Sequence, residues 1–196
     1  MDNVGRVYSG GKISNELRSR ITSIHVDPQV EDIPKETFKG CSNLTDVQFA
    51  NDGALKVVGD CAFRDCTALQ RMSIPPSVTE LGCQSFSGCS NLTDVHFAHE
   101  GALQVIGSYT FCKCTALQQV SIPPSVTKLG SRAFRGCSNL TNVQFAHEGA
   151  LQVVGDNAFY GCTALQQVSI PSSVTKLDDG AFMGCSNLTN LQFAHE

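Results

Sequence analysis

Residues 117–137 read LQQVSIPPSVTKLGSRAFRGC, and the order of features in this stretch decides the fold. It opens with Leu117-x-x-Val120-x-Ile122, an apolar/polar alternation that signals a strand. It turns through Pro123-Pro124-Ser125, sets a second apolar pair at Val126 and Leu129, and closes on Phe134-x-x-Cys137. The same order recurs along the chain. Phe-x-x-Cys occurs seven times, as Phe38/Cys41, Phe63/Cys66, Phe86/Cys89, Phe111/Cys114, Phe134/Cys137, Phe159/Cys162 and Phe182/Cys185. Successive copies alternate between a long step, as from Phe38 to Phe63, and a short step, as from Phe63 to Phe86. Two unlike units therefore share one super-repeat. Residues 89–136 and 137–184 align without a gap and agree at 35 of 48 positions. A short fixed period of this kind marks a solenoid, because one unit cannot bury its own apolar face.

Every unit repeats the strand signal, from Leu44-Thr-Asp-Val47-Gln-Phe49 through to Phe193. A degenerate copy, Ile21-Thr-Ser-Ile24-His-Val26, lies one short step upstream and brings the expected count to eight strands. Stacked at about 4.8 Å, they would form one parallel sheet in a rod roughly 35–40 Å long. The shorter units then turn through Pro75-Pro76, Pro123-Pro124 or Pro171-Ser172, and the longer through Asp52-Gly53, Glu100-Gly101 or Glu148-Gly149. Three positions before the repeated Phe stands Asp60, Ser108, Ser131, Asp156 or Asp179, each able to cap a first turn, with Lys35 and Cys83 as exceptions. Gly follows the Phe by two positions in five of seven units. These signals predict one short helical turn per unit, with the Phe pointing inward.

The pattern Leu-x-x-Val-x-Ile-Pro-x-Ser-Val-Thr-x-Leu-Gly-x-x-Ala-Phe-x-Gly-Cys, fullest in Leu117–Cys137, resembles the BspA-like leucine-rich repeat, and the likeness covers about residues 21–196. It implies a β-rich α/β-type repeat solenoid, right-handed and curved, with a parallel sheet on its concave face and short helical turns. It further implies protein–protein interaction, with cell-surface adhesion in some members, and it carries no catalytic residues or cofactor.

Composition narrows the classes. Among 196 residues, 14 Lys and Arg oppose 18 Asp and Glu, giving a net charge of −4, and charged residues make up 16%. That thin acidic balance argues against nucleic-acid binding, which needs cations to displace counterions, and against an anionic membrane surface. No apolar run approaches the roughly 20 residues that span a bilayer. Residues 1–12 show no basic segment followed by an apolar stretch, so the expected compartment is the cytoplasm.

Ten cysteines invite a disulfide or metal reading. Seven are repeat positions whose side chains would run parallel in a ladder, a role suited to a small buried residue. Cys61, Cys83 and Cys112 fall at other positions and are expected as exposed or half-buried thiols without zinc-site spacing. His99, His147 and His195 recur once per super-repeat, about 10 Å apart, too far for a shared metal. Asn43, Asn91, Asn139 and Asn187 each open an Asn-Leu-Thr sequon, yet their place before the core Leu suggests backbone bonding at the bend. Near-identical rungs offer no unique asymmetric cluster for catalysis, so no enzyme is expected.

The outward strand positions differ along the rod. Asp46, Arg71, Asp94 and His96 lie in the first half, whereas the last rungs carry only amides and hydroxyls. Binding hot spots favour Arg and aromatic residues, so these four are the candidate protein-binding residues. The turns vary as well, at Arg64, Tyr109, Lys113, Arg135, Tyr160 and Met183, and form a rival surface. Residues 1–20, with Val4, Val7, Tyr8, Ile13 and Leu17, read as an N-terminal cap ahead of a solenoid over 21–196. The other end, at Glu196, shows no cap, which invites self-association through an uncapped edge. The functional expectation is a non-enzymatic protein-interaction module. An adhesin and a structural spacer in a longer repeat protein stand as alternatives.

Overall fold

The computed structural model of the chain describes residues 5–194. It is a parallel β-solenoid in which seven turns each contribute one long strand and one short strand, with one further long strand at either side. The long strands are Gly5–Tyr8, Ser23–Val26, Asp46–Gln48, Arg71–Ile74, Asp94–Phe97, Gln119–Ile122, Asn142–Phe145, Gln167–Ile170 and Asn190–Phe193. The short ones are Asp32–Ile33, Val57–Val58, Glu80–Leu81, Val105–Ile106, Lys128–Leu129, Val153–Val154 and Lys176–Leu177, joined in one seven-stranded parallel sheet. Gly5–Tyr8 pairs in register with Ser23–Val26 and was not expected as a strand, because it lacks the Leu-x-x-Val pattern and lies closer in sequence to its partner than either repeat step. Val4 lies outside the described residues.

The long strands do not form the single continuous sheet that equal stacking predicts. Strands one short step apart pair fully, as Arg71↔Asp94 to Ile74↔Phe97 and Gln119↔Asn142 to Ile122↔Phe145. Strands one long step apart do not. The ladder breaks between Asp46–Gln48 and Arg71–Ile74 and between Asp94–Phe97 and Gln119–Ile122, and narrows to Asn142↔Gln167 at the third such step. Each break precedes a proline turn, whose prolines have no N–H to donate to the rung before. The two full breaks precede Pro-Pro, and the step that keeps one pair precedes Pro171-Ser172.

The repeated turns are compact but not helical. Among the described residues only Asn15–Arg18 is an α-helix, and no helix there is long and apolar enough to cross a membrane. The residue two before each Phe is left-handed, with φ between 53° and 61° at Glu36, Cys61, Gln84, Tyr109, Arg132 and Asn157. That sign change prevents a run of i→i−4 bonds. Alternate N–H groups instead reach the next rung: Tyr109 N donates to Ser131 O at 2.9 Å, Phe111 N to Ala133 O at 2.7 Å and Lys113 N to Arg135 O at 2.8 Å. The residues between them close local turns, as Cys112 N does on Tyr109 O. The expected cap Asp60 accordingly bonds across rungs, its Oδ1 accepting from Cys83 N at 2.7 Å. The glycine two after each Phe does take a left-handed φ, and Asp65 and Lys113 adopt the same conformation where glycine is absent.

The core is a set of stacked columns. Phe38, Phe63, Phe86, Phe111, Phe134 and Phe159 are fully buried, with successive ring centroids 5.1–5.5 Å apart. Beside them each repeat thiol from Cys66 onward donates to the Phe carbonyl of the preceding rung, as Cys89 Sγ does to Phe63 O at 3.2 Å and Cys137 Sγ to Phe111 O at 3.1 Å. A glycine column lets the rungs approach. A Cβ at Gly130 would lie 2.5 Å from Gly107 C and Ser108 N. At the N-terminal side the Tyr8 ring meets Phe38 edge-on at 5.0 Å, and Arg18 Nη1 and Nη2 donate to the carbonyls of Lys39 and Glu36 at 2.6 and 3.0 Å. At the other side Met183, Leu191 and Phe193 are exposed.

Candidate functional site

Asp46, Arg71, Asp94 and His96 all project from the solvent face of the long strands, because strand side chains alternate and Val47, Met72, Val95 and Phe97 take the inward positions. The ladder sets Arg71 directly beside Asp94 and Ser73 beside His96. Asp46 belongs to the preceding block, yet it lines one depression with Gln48, Ser73 and His96. A second depression adjoins it, lined by Asp94, His96, His99, Gln119, Ser121 and Gln144. The structure therefore gathers all four on three adjacent rungs.

Their polar atoms are largely uncommitted. Asp46 Oδ2 accepts from Gln48 Nε2 at 2.8 Å. Among the described residues no ion pair joins Arg71 to either aspartate, although Asp94 is its register partner. Ladder hydrogen bonds fix Arg71 beside Asp94 and Ser73 beside His96, and the packed column beneath supports the Asp46 strand, which the ladder does not join to them. Chemically the arrangement offers donors and acceptors on a shallow face, with no buried nucleophile among them.

Seven of the ten cysteines are buried, and Cys61, Cys83 and Cys185 are half-buried. Burial pushes the Cys89 thiol up to about 12 and raises Cys114, Cys137 and Cys162 as well. A protonated thiol is a poor nucleophile and a poor metal ligand. Cys112, expected at or near the surface, is buried, and desolvation raises it. Cys61 and Cys83 are half-buried on neighbouring rungs. Among the described residues no group of three His, Cys, Asp or Glu side chains is placed to hold a metal ion. His195 lies outside the described residues.

The sequon asparagines behave differently from expectation. Asn43 Nδ2 donates to Ser19 O at 2.7 Å, but the side chains of Asn91, Asn139 and Asn187 are exposed and bond no described residue. The sequon threonine makes the bond to the preceding rung instead: Thr45 to Thr22 O, Thr93 to Gln70 O, Thr141 to Gln118 O and Thr189 to Gln166 O, at 3.0–3.2 Å. A hydroxyl at the entry to the strand reaches back one rung, whereas the asparagine two positions earlier points to solvent.

The rival turn surface proves more organised than the sequence indicated. The Arg132 guanidinium lies over the Tyr109 ring, 5.4 Å from its centroid, and donates to the Tyr109 hydroxyl. Arg135 lies over Tyr160 at 5.2 Å. Arg132 was absent from the expected set. The signal for it was its spacing, since Tyr109 and Arg132 stand one short step apart and Arg135 and Tyr160 one long step apart, a single rung in each case.

Comparison with known proteins follows the same architecture. The pattern described as the BspA type leucine rich repeat region matches in six copies over residues 17–104 and 104–196. A leucine-rich repeat protein from T. pallidum is 30% identical, with a TM-score of 0.76 over 85% of this chain and 77% of that one. A leucine-rich repeat protein from Eubacterium ventriosum is 26% identical, also with a TM-score of 0.76, over 84% of this chain and 43% of that one. A pneumococcal vaccine antigen shares the fold at 19% identity and a TM-score of 0.58, over 89% of this chain and 62% of that one. Against curated proteins the chain has no match.

Proposed function

The chain belongs to the BspA-type leucine-rich-repeat family, and from that premise we propose that it is a binding protein, not a catalyst, whose long-strand face engages a protein partner through Asp46, Arg71, Asp94 and His96. One observation carries this reading. The parallel register sets Arg71 beside Asp94 and Ser73 beside His96, and the charged side chains there have no ion-pair partner among the described residues. Groups held in place before binding lose little freedom on binding, which lowers its entropic cost. The later rungs present Gln119, Asn142, Gln167 and Asn190 at the equivalent position, with amides and no charge. Charge complementarity therefore favours the earlier rungs as the side that selects a partner.

Quantitative affinity capture from a native lysate tests the reading, using the wild type, Asp46→Ala/Arg71→Ala/Asp94→Ala/His96→Ala, and Gln119→Ala/Gln167→Ala. The expected result is one protein enriched by the wild type and the amide variant and lost by the fourfold variant, with all three chains melting alike. Equal capture by the folded fourfold variant would remove the long-strand face from consideration.

A further inference from the structure

We propose that the turn face over residues 109–113, 132–136 and 156–160 is a second docking surface, separate from the long-strand face, and that its ligand is an acidic segment of a protein partner. The surface gathers three cations, Lys113, Arg132 and Arg135, on adjacent rungs, and all three act electrostatically on the Cys112 thiol, which lies among them. Arg132 has one carboxylate at hand, Asp156, with Nη2 4.0 Å from Oδ2. Lys113 and Arg135 have no side-chain hydrogen-bond acceptor or counter-ion among the described residues. A chain with net charge −4 thus carries a local patch of the opposite sign.

The same turn positions on other rungs do not build this patch. Lys39 is paired with Glu36 at 2.8 Å, and Arg64 is held by Gln84 at 2.7 Å and Asp65 at 3.4 Å. The third turn carries Gln84, Ser87 and Gly88 and no charge. Among the described residues, turn cations are braced by a ring only at the central rungs. Tyr109 and Tyr160 contact the guanidinium faces of Arg132 and Arg135; Arg132 already donates to the Tyr109 hydroxyl and faces Asp156, whereas Arg135, exposed and with no side-chain hydrogen bond among the described residues, keeps its N–H edge open to a carboxylate. The backbone holds Tyr109, Lys113 and Arg132 at φ of 58°, 61° and 58°, so three members of the patch stand in the left-handed region that favours glycine. Arg and Tyr are also the residue types that dominate binding hot spots.

The three cations stand on two adjacent rungs, about 4.8 Å apart, and with the Asp156–Tyr160 turn the patch spans two rung steps, about 10 Å, the reach of about three residues of an extended peptide. Three cations with a carboxylate between them are too few for a nucleic acid, whose affinity grows with each phosphate neutralised. They match two or three carboxylates of an extended acidic segment.

Fluorescence anisotropy with two labelled octapeptides tests this, Glu-Asp-Tyr-Glu-Asp-Phe-Glu-Asp and its amide counterpart Gln-Asn-Tyr-Gln-Asn-Phe-Gln-Asn. The wild type should bind the acidic peptide at least about tenfold tighter than the amide one. Arg135→Gln, which removes only a ring contact inside the chain, should weaken it severalfold, and Arg132→Gln/Arg135→Gln by about tenfold. Arg71→Gln on the long-strand face should leave it unchanged. Equal binding of the two peptides, or an equal loss with Arg71→Gln, would overturn the proposal. So would competition by a single-stranded oligonucleotide of the same charge at equal concentration, which would make the patch a general polyanion surface.

Discussion

The long-strand face and the turn face belong to the same rungs, yet they accept variation on different terms. On the strand face the backbone is ordinary extended chain, and successive rungs carry Asp46, Arg71, Asp94, Gln119, Asn142, Gln167 and Asn190 at one position, with the register kept wherever neighbouring strands pair, as at Arg71↔Asp94, Gln119↔Asn142, Asn142↔Gln167 and Gln167↔Asn190. On the turn face two positions per rung are left-handed, alternate N–H groups are committed to the next rung, and a glycine column brings backbones within reach of a Cβ clash. The strand face varies at little cost in backbone energy. The turn face varies only where a side chain tolerates, or compensates for, a conformation better suited to glycine.

Removing a ring from the interior column breaks the comparison most severely, because both faces rest on that column. Phe111 is fully buried between Phe86 at 5.5 Å and Phe134 at 5.2 Å, with Phe97 edge-on at 6.2 Å. Phe111→Ala should cost about 3–5 kcal/mol in urea unfolding. Gln119→Ala on the exposed strand face should stay within about 0.5 kcal/mol. Similar values for the two would mean that the column does not carry the stability.

A smaller effect isolates the thiol column by pH. Burial holds the Cys89 proton up to about 12, whereas the unfolded chain releases it near 9. Above about pH 9 the native state therefore binds more protons than the unfolded state, and stability falls as pH rises toward 12. Cys89→Ala removes this one contribution. Between about pH 8 and 10 its unfolding free energy should drop by on the order of 1 kcal/mol less than that of the wild type. Parallel pH curves for the two chains would refute the buried-thiol account.

The strand ladder and the Phe and Cys columns were legible in the sequence because two periods coincide there. The alternation within Leu117-x-x-Val120-x-Ile122 sets inside and outside, and the alternating long and short step sets the neighbour. The same logic placed Asp46, Arg71, Asp94 and His96 on one face. The turn was misread as helical because Asp60 or Ser108 before the Phe and glycine after it serve a helical turn and an alternating left- and right-handed segment equally well. In the run Glu36, Cys61, Gln84, Tyr109, Arg132, Asn157 and Gly180, only the last two are of types that favour positive φ. The Arg132–Tyr109 stack stayed hidden because its partners are neighbours only across a rung. Cys112 was misplaced for a related reason: it shares its column with Arg64, Ser87, Arg135 and Tyr160, whose polar ends reach solvent while a short thiol stays beneath them.

The smallest expected effect is also the most specific to the turn face. Lys113 holds φ at 61° where five of the other six rungs have glycine, and its side chain passes close to Gly136, whose added Cβ would lie 3.8 Å from Lys113 Cγ. A Cβ in the left-handed region costs roughly 1–2 kcal/mol, and glycine returns part of that gain through its freer unfolded chain, about 0.4–1 kcal/mol. Lys113→Gly should therefore stabilise the fold by roughly 0.5 kcal/mol, read as an upward shift of the urea midpoint at unchanged slope. The same substitution removes one of the three cations from the turn patch, so the more stable chain should bind an acidic peptide less tightly. A loss of stability with Lys113→Gly, comparable to that of a glycine placed mid-strand at Gln119, would show that the turn backbone carries no strain. The two faces would then differ in sequence alone. A gain in stability with weaker peptide binding would show that the lysine is kept at a conformational cost which its charge offsets, as strained residues at binding sites commonly are.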